Sequence, residues 1–195
     1  MMTDILTMGK NARTASRSLG KLGTNKKNEV LLAVAEAIRA NADYILGENH
    51  KDVEQGKADG MKSGLLDRLT LTKARIDGMA DGVNQVAGLD DPVGEVLSMK
   101  KRPNGLLIGK KRVPFGVIAV IYESRPNVTL DPFGLCFKTG NAVILKGGSD
   151  AINSNIAIAN VIREALKTNG IDENALQLIE STDRECVKEL LTMNE

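Results

Sequence analysis

The sequence predicts an α/β fold, a Rossmann-type parallel sheet of limited extent with helices ahead of it and a β-hairpin in between. Three observations predict it. Short apolar runs at 117–122, 142–145 and 176–179 alternate with helical periodicities, in the order β-α-β-α-β-α. Aromatic residues make up only 3% of the chain, with no Trp, so the core is aliphatic, as where helices cover a parallel sheet. Gly and Pro punctuate the boundaries: Pro92, Pro103, Gly105 and Gly170 fall where the periodicity changes.

The first ninety or so residues read as helical. From 30 to 46, Leu31, Val34, Ala35, Ile38, Ala42 and Ile45 recur at helical spacing. Residues 47–64 are polar, contain Gly and show weak periodicity. Thr72 is a plausible N-cap for a helix with Ile76, Met79, Val83 and Val86 on one face, closed by Gly88. After Pro92 the runs 96–99 and 106–108 flank Arg102, Pro103, Asn104 and Gly105, which favour a tight turn, so residues 94–113 read as a β-hairpin. Lys100, Lys101, Arg102, Lys110, Lys111 and Arg112 make it strongly basic. Lysines on edge strands discourage edge-to-edge pairing, and that role or a subunit contact is favoured over nucleic acid, because no aromatics alternate with the charges.

From 114 to 195 strands and helices alternate. The run 117–122 is continuously apolar and β-branched, as in a strand buried on both faces. A helix over 127–138 carries Leu130, Phe133, Gly134 and Phe137 on one side. The buried strand 142–145 and a helix over 154–167 follow, with Ile156, Ala159, Ile162 and Leu166 inward. After the strand 176–179, Thr182 and Glu185 form a capping box opening a last helix with Val187, Leu190 and Leu191.

Bulk properties exclude several classes. With 26 basic and 25 acidic residues the net charge is +1, unlike a dedicated nucleic-acid binder. The longest apolar run is far too short to span a bilayer, and the N-terminus shows no signal pattern, so no membrane partner is expected and the cytosol is the expected compartment. Cys136, Cys186 and the single His50 make neither a disulfide framework nor a metal site. Cys136 reads as a small buried apolar residue, Cys186 as unreactive, and His50 as a solvated surface histidine.

Ligands of parallel sheets bind at the carboxyl ends of strands, so the candidate site lies just after each one. After the second strand stand Lys146, Gly147, Gly148 and Ser149. A Lys at a buried strand end is costly unless it meets an anion or hydroxyl acceptors, and two glycines would let a ligand approach the backbone. That fits a ribose hydroxyl pair or ribose phosphate. An ordinary Gly turn with Lys snorkelling to solvent explains the pattern equally well. After the first strand stand Glu123, Ser124, Arg125, Pro126 and Asn127. Arg125 can clamp a carboxylate or phosphate, Pro126 fixes the turn, and Asn127 offers an amide donor of the oxyanion-hole kind. Helix capping by Asn127 or Thr129 is the plain alternative, and it leaves Arg125 unexplained. Neither the dinucleotide glycine fingerprint nor a P-loop is present. The expectation is that the Lys146 amine and the Asn127 carboxamide emerge at one rim of the sheet, facing a shared cleft.

The segments 113–129 and 138–148 resemble the γ-glutamyl phosphate reductases, proline-biosynthesis members of the aldehyde dehydrogenase superfamily. The specific block is Tyr122, Glu123, Ser124, Arg125, Pro126, Asn127, Val128, Thr129. Leu66, Asp67, Arg68 and Leu69, then Arg75 and Ile76, and residues 90–95 also resemble that family. The resemblance implies an aldehyde-dehydrogenase-like fold and NADPH-dependent reduction of L-glutamyl 5-phosphate to glutamate 5-semialdehyde through a cysteine thioester. It implies oxyanion stabilisation by Asn127 and contact of Lys146 with the adenosine ribose. It also implies NADP(H) as cofactor, a homo-oligomer formed through the hairpin arm, and a glutamate kinase as candidate partner. The family's catalytic cysteine stands in a Gly-Ile-Cys-His-type motif absent from these residues. The expected organisation is therefore a helical region (1–93), the arm (94–113) and a partial NADP-binding domain (114–195), with no catalytic domain. Such a chain is expected to be inactive alone and prone to self-associate. The competing expectation is a stand-alone nucleotide-binding or assembly module without catalysis.

Overall fold

The computed structural model describes residues 4–183 and 185–193. Eight α-helices and five strands are formed there. A three-stranded parallel sheet has the order β3 (Val117–Ile121), β4 (Ala142–Lys146), β5 (Leu176–Leu178). Its register pairs Val117 with Ala142 and Val143 with Leu176. The crossovers are α6 (Leu130–Lys138) and α7 (Ile152–Thr168), which pack on β4 and β5 respectively. α1 (Ile5–Leu19) packs on all three strands and meets α8 (Glu185–Thr192). α2 (Thr24–Ala40), α3 (Ala42–Ala58) and α5 (Lys73–Gly88) add a further layer over α6 and α7. One contiguous apolar core runs from Ile5 and Val30 through Phe133 to the β4 residues Val143, Ile144 and Leu145.

Several helix boundaries differ from the sequence pattern. The periodicity over 30–46 belongs to two helices broken at Asn41, whose Nδ2 donates to the Ala37 carbonyl at 2.8 Å beside its own backbone N–H at 3.0 Å. The polar stretch 47–64 is mostly helix: α3 runs to Ala58, and α4 (Ser63–Leu69) follows. Its weak apolar period arises because α3 buries polar side chains. The Asp52 carboxylate, 3% exposed, accepts from the backbone N–H groups of Asn153 (3.2 Å) and Ser154 (2.8 Å) and from both their side chains. It thereby caps the start of α7 from another helix. Beside it Asn49 donates to Leu69 O and to Ser154 Oγ, and accepts from Leu71 N, tying α3 to the link between α4 and α5.

A second buried polar cluster joins α2 to α6. Lys27 is fully buried, its Nζ 2.8 Å from Asp91 Oδ2. Desolvation pushes the Asp91 carboxyl up, but hydrogen bonds from Lys27, Val93 and Thr24 outweigh it and hold the carboxyl below its ordinary value. Lys138, at the end of α6, donates to Asn28 Oδ1 and Ala87 O. Thr72 caps α5 as its pattern predicts, accepting from Arg75 N.

The hairpin forms from β1 (Val96–Lys101) and β2 (Leu107–Lys111), turning at Gly105 with φ +87°. Every residue of the two strands is exposed except half-buried Ser98, and Leu107 is 60% exposed. Two further expectations are corrected. β3 is an edge strand here, with Ala119 and Ile121 exposed, because no described strand lies on its other side. In α8 Leu190 is buried but Leu191 is 71% exposed. The Arg184 of the supposed capping box, like residues 1–3 of the N-terminal reading, lies outside the described residues. The Glu185 N–H donates to Asp183 Oδ1 rather than to Thr182.

Replacing Asp52 with Ala strands the donors at the start of α7. The expected cost is about 3 kcal/mol in a denaturant titration. Glu54→Ala, which removes only an exposed pair with Lys57, should leave the midpoint of the same titration essentially unchanged.

Candidate functional site

The chain leaves β3 at Ile121, opposite Lys146 in register, and leaves β4 at Lys146 itself. The two exits are locked together. Tyr122 N–H donates to Lys146 O at 3.0 Å, and Ser124 Oγ donates to Asp150 Oδ2 at 3.1 Å. A Cβ on Gly148 would land on Ser124 Oγ and 2.9 Å from Ser124 N; one on Gly147 would land on Asn155 Nδ2 and 3.1 Å from the Tyr122 ring. The two glycines thus have a packing reason beside the ligand approach read from the sequence: Ser124 and Tyr122 of the neighbouring exit and Asn155 of α7 fill the space that they free. The third exit is remote in character: Glu180 lies 3.8 Å from Arg163, and Ser181 Oγ accepts from Asp183 N.

Pro126–Thr129 forms a 3-10 turn with no side-chain cap, and α6 follows it without one. Capping therefore does not account for Asn127 or Thr129. Thr129 Oγ1, fully buried, donates to Asn155 Oδ1 at 2.8 Å, so its 2.7 Å contact with Tyr122 is donated by the phenol. Burial pushes the Tyr122 phenol up to about 12, which keeps it a neutral donor. Asn155 Nδ2 is buried with no partner among the described residues.

Lys146 is 7% exposed and its Nζ donates to Gly147 O at 2.8 Å. An ammonium has three protons, and one acceptor is recorded for it. Asn127 is exposed and lines a cleft of about 550 Å³ with Arg68, Arg75, Arg125, Met79 and Asp131. Lys146 does not line that cleft, so the expected shared opening is not formed. The amine turns back to its own loop, while the amide faces α4 and α5. Glu123, Ser124 and Arg125 border a second cleft of about 360 Å³ together with Arg68 and Asp150. Arg125 Nε is 4.0 Å from Glu123 Oε2. Pro126 is buried, and exposed Ser149 donates to Asp150.

Composition and periodicity missed Arg68, Arg75 and Asp131, since isolated charges on an α4 or α5 surface carry no pattern; only the resemblance flagged Arg68 and Arg75. Arg75 is committed to the end of α4, donating to the carbonyls of Asp67 and Thr70 and pairing with the Asp67 carboxylate. Desolvation pushes the Asp131 carboxyl up. Cys136 is buried, and that burial pushes its thiol up to about 11. Cys186 is half-buried at the start of α8, and His50 is exposed on α3. Among the described residues no group of three or more His, Cys, Asp or Glu could hold a metal ion, and no helix is long and apolar enough to cross a membrane.

The family model described as "Aldehyde dehydrogenase family" matches residues 2–195. The chain is 59% identical to a gamma-glutamyl phosphate reductase of Lachnospira eligens over 194 residues, covering all of this chain and 47% of that protein. A solved gamma-glutamyl phosphate reductase from Thermotoga maritima superposes with a TM-score of 0.94 at 44% identity, over 97% of this chain and 46% of that one. The corresponding Saccharomyces cerevisiae structure gives 0.89 at 33% identity, over 96% and 48%. A glyceraldehyde-3-phosphate dehydrogenase from Methanocaldococcus jannaschii, solved with NADP, shares the fold at 18% identity and a TM-score of 0.67, over 98% and 39%. The chain thus spans about half the length of the curated relatives it matches.

Gly148→Ala should lower stability by about 2 kcal/mol, a fall of roughly 5 °C in melting temperature, because backbone as well as side chain blocks the new methyl. Gly47→Ala, in a helix with nothing within 4 Å, should raise it. The raised thiol and phenol give a pH dependence. Above an ordinary thiol value of 9.0 the unfolded chain loses protons that folded Cys136 and Tyr122 keep up to about 11 and about 12. Stability is therefore full below pH 9 and falls as pH rises through that window, a fall that Cys136→Ala should lessen in thermal melts.

Proposed function

Because the chain belongs to the aldehyde dehydrogenase family, we propose that it forms the nicotinamide-cofactor side of a γ-glutamyl phosphate reductase. Its substrate in this reading is L-glutamyl 5-phosphate, its products L-glutamate 5-semialdehyde and phosphate, and its pathway proline biosynthesis.

Lys146 carries the cofactor assignment. A nearly buried ammonium at the carboxyl end of a parallel strand, with one recorded acceptor, is short of partners that a ribose hydroxyl pair or phosphate would supply. The residues present fit a nicotinamide dinucleotide in that sense. Lys146 would hold the adenosine ribose, with Glu123, Ser124, Arg125, Pro126 and Ser149 along the same sheet edge. Gly147 and Gly148 contribute by letting the two exits close. The relative solved with NADP supports the phosphorylated cofactor.

When bound, the reduced nicotinamide supplies the hydride. The exposed Asn127 amide would donate to the oxygen on which charge develops at the acyl carbon. The thiolate nucleophile is not expected from Cys136, whose burial keeps it protonated, nor from Cys186, which has no histidine within its turn of helix. Turnover by these 195 residues alone is therefore not expected. The largely exposed hairpin fits an arm that pairs protomers, and a cytosolic homo-oligomer working beside a glutamate kinase completes the reading.

Titration of NADPH and NADH, followed by cofactor fluorescence, tests this. NADPH should bind more tightly than NADH, and Lys146→Ala should weaken it at least tenfold with unchanged circular dichroism. Absence of cofactor binding, or equal binding by Lys146→Ala, would count against the assignment.

A further inference from the structure

We propose that Arg68 and Arg125 together clamp a phosphoryl group. The proposal rests on the reductase reading for the identity of its ligand, but its geometry does not use Lys146, which lines neither cleft. Arg68 comes from α4 and Arg125 from the β3 exit, and both line the cleft of about 550 Å³ and the cleft of about 360 Å³. They border both spaces that flank the β3 exit.

Neither guanidinium is spoken for. Arg68 makes no side-chain hydrogen bond or ion pair among the described residues. The recorded partner of Arg125 is Glu123 at 4.0 Å, and with side chains 45% and 83% exposed that pair is weak. Arg75, the third arginine at the larger cleft, is by contrast held by α4 carbonyls and Asp67. Of the four carboxylates that border the clefts, Glu123 is the distant partner of Arg125, and two are committed elsewhere. Asp67 pairs with Arg75, and Asp150 accepts from Ser124 and Ser149. Asp131 faces the larger cleft, and desolvation works against its charged form.

Guanidinium forks are charged at every accessible pH and match phosphoryl oxygens by paired hydrogen bonds. Two forks at one rim, one without an ion-pair partner among the described residues and the other only weakly paired, suit a dianion better than a carboxylate with a single charge. Asn127 lines the larger cleft, so a phosphoryl group held there stands beside the amide assigned to the oxyanion. The smaller cleft, bordered by Glu123 and Ser124, offers the alternative source, a cofactor phosphate.

The test is a titration of the 195-residue chain with inorganic phosphate, followed by NMR of the arginine side-chain N–H groups. Both Arg68 and Arg125 signals should move, and Arg68→Gln and Arg125→Gln should each weaken phosphate at least tenfold. Arg102→Gln, which removes the same charge from the hairpin, should leave binding within twofold. No movement of the two signals, or equal weakening by Arg102→Gln, would overturn the clamp. Competition by 2′-phosphoadenosine would assign the group to the cofactor, and its absence to the substrate; both sustain the clamp. Loss of NADPH binding with phosphate binding intact would sink the reductase reading alone.

Discussion

The architecture of the site depends on a steric constraint: the exits of β3 and β4 pass at a distance that admits no Cβ on the β4 side. In a parallel sheet neighbouring strands leave in the same direction, so their loops compete for the same volume. Two consecutive glycines resolve that competition in favour of the β3 loop. Tyr122 can then reach Thr129, and Ser124 can reach Asp150. Arg125 and Asn127 are carried outward toward α4 and α5, while Lys146 is left beneath the loop. The chemistry-bearing groups are thus sorted into two neighbourhoods by a packing event that involves no charge.

The helices ahead of the sheet complete the arrangement. α4 supplies Arg68, and α4 is held by Arg75 and by the Asn49 bridge between Leu69 and Leu71. The same stretch of α3 fixes the start of α7 through Asp52. α7 carries Asn155, which meets Thr129 beneath the β3 exit. Residues 4–93 are therefore not an appendage to the sheet but the frame that sets one wall of both clefts, and a single core runs through both.

Much of this was legible in the sequence, and what was not has physical reasons. The alternation of strands and helices along the chain, the Thr72 cap, the Gly105 turn and the inward faces of α6 and α7 follow from local periodicity and turn chemistry. α3 escaped as a helix because its buried positions Asn49 and Asp52 are polar, and apolar periodicity is blind to a buried face that is satisfied by hydrogen bonds. The run 117–121 reads as buried on both sides because composition reports what a strand tolerates, whereas its exposure depends on neighbours. Lys146 and Asn127 were found at their strand ends, but whether they share an opening turns on a loop crossing that one-dimensional spacing does not encode.

The hairpin has a consequence for how the molecule opens. Its ladder is held by backbone pairing between β1 and β2, with side chains on both faces in water. A two-stranded ribbon without a packed face is marginal by itself. Its amide protons should then trade with solvent through local fraying, while those of β4, enclosed on every side, wait for the whole core to come apart. The protein accordingly carries two tiers of cooperativity, and the outer tier becomes part of the inner one only when another surface lies down on the ribbon.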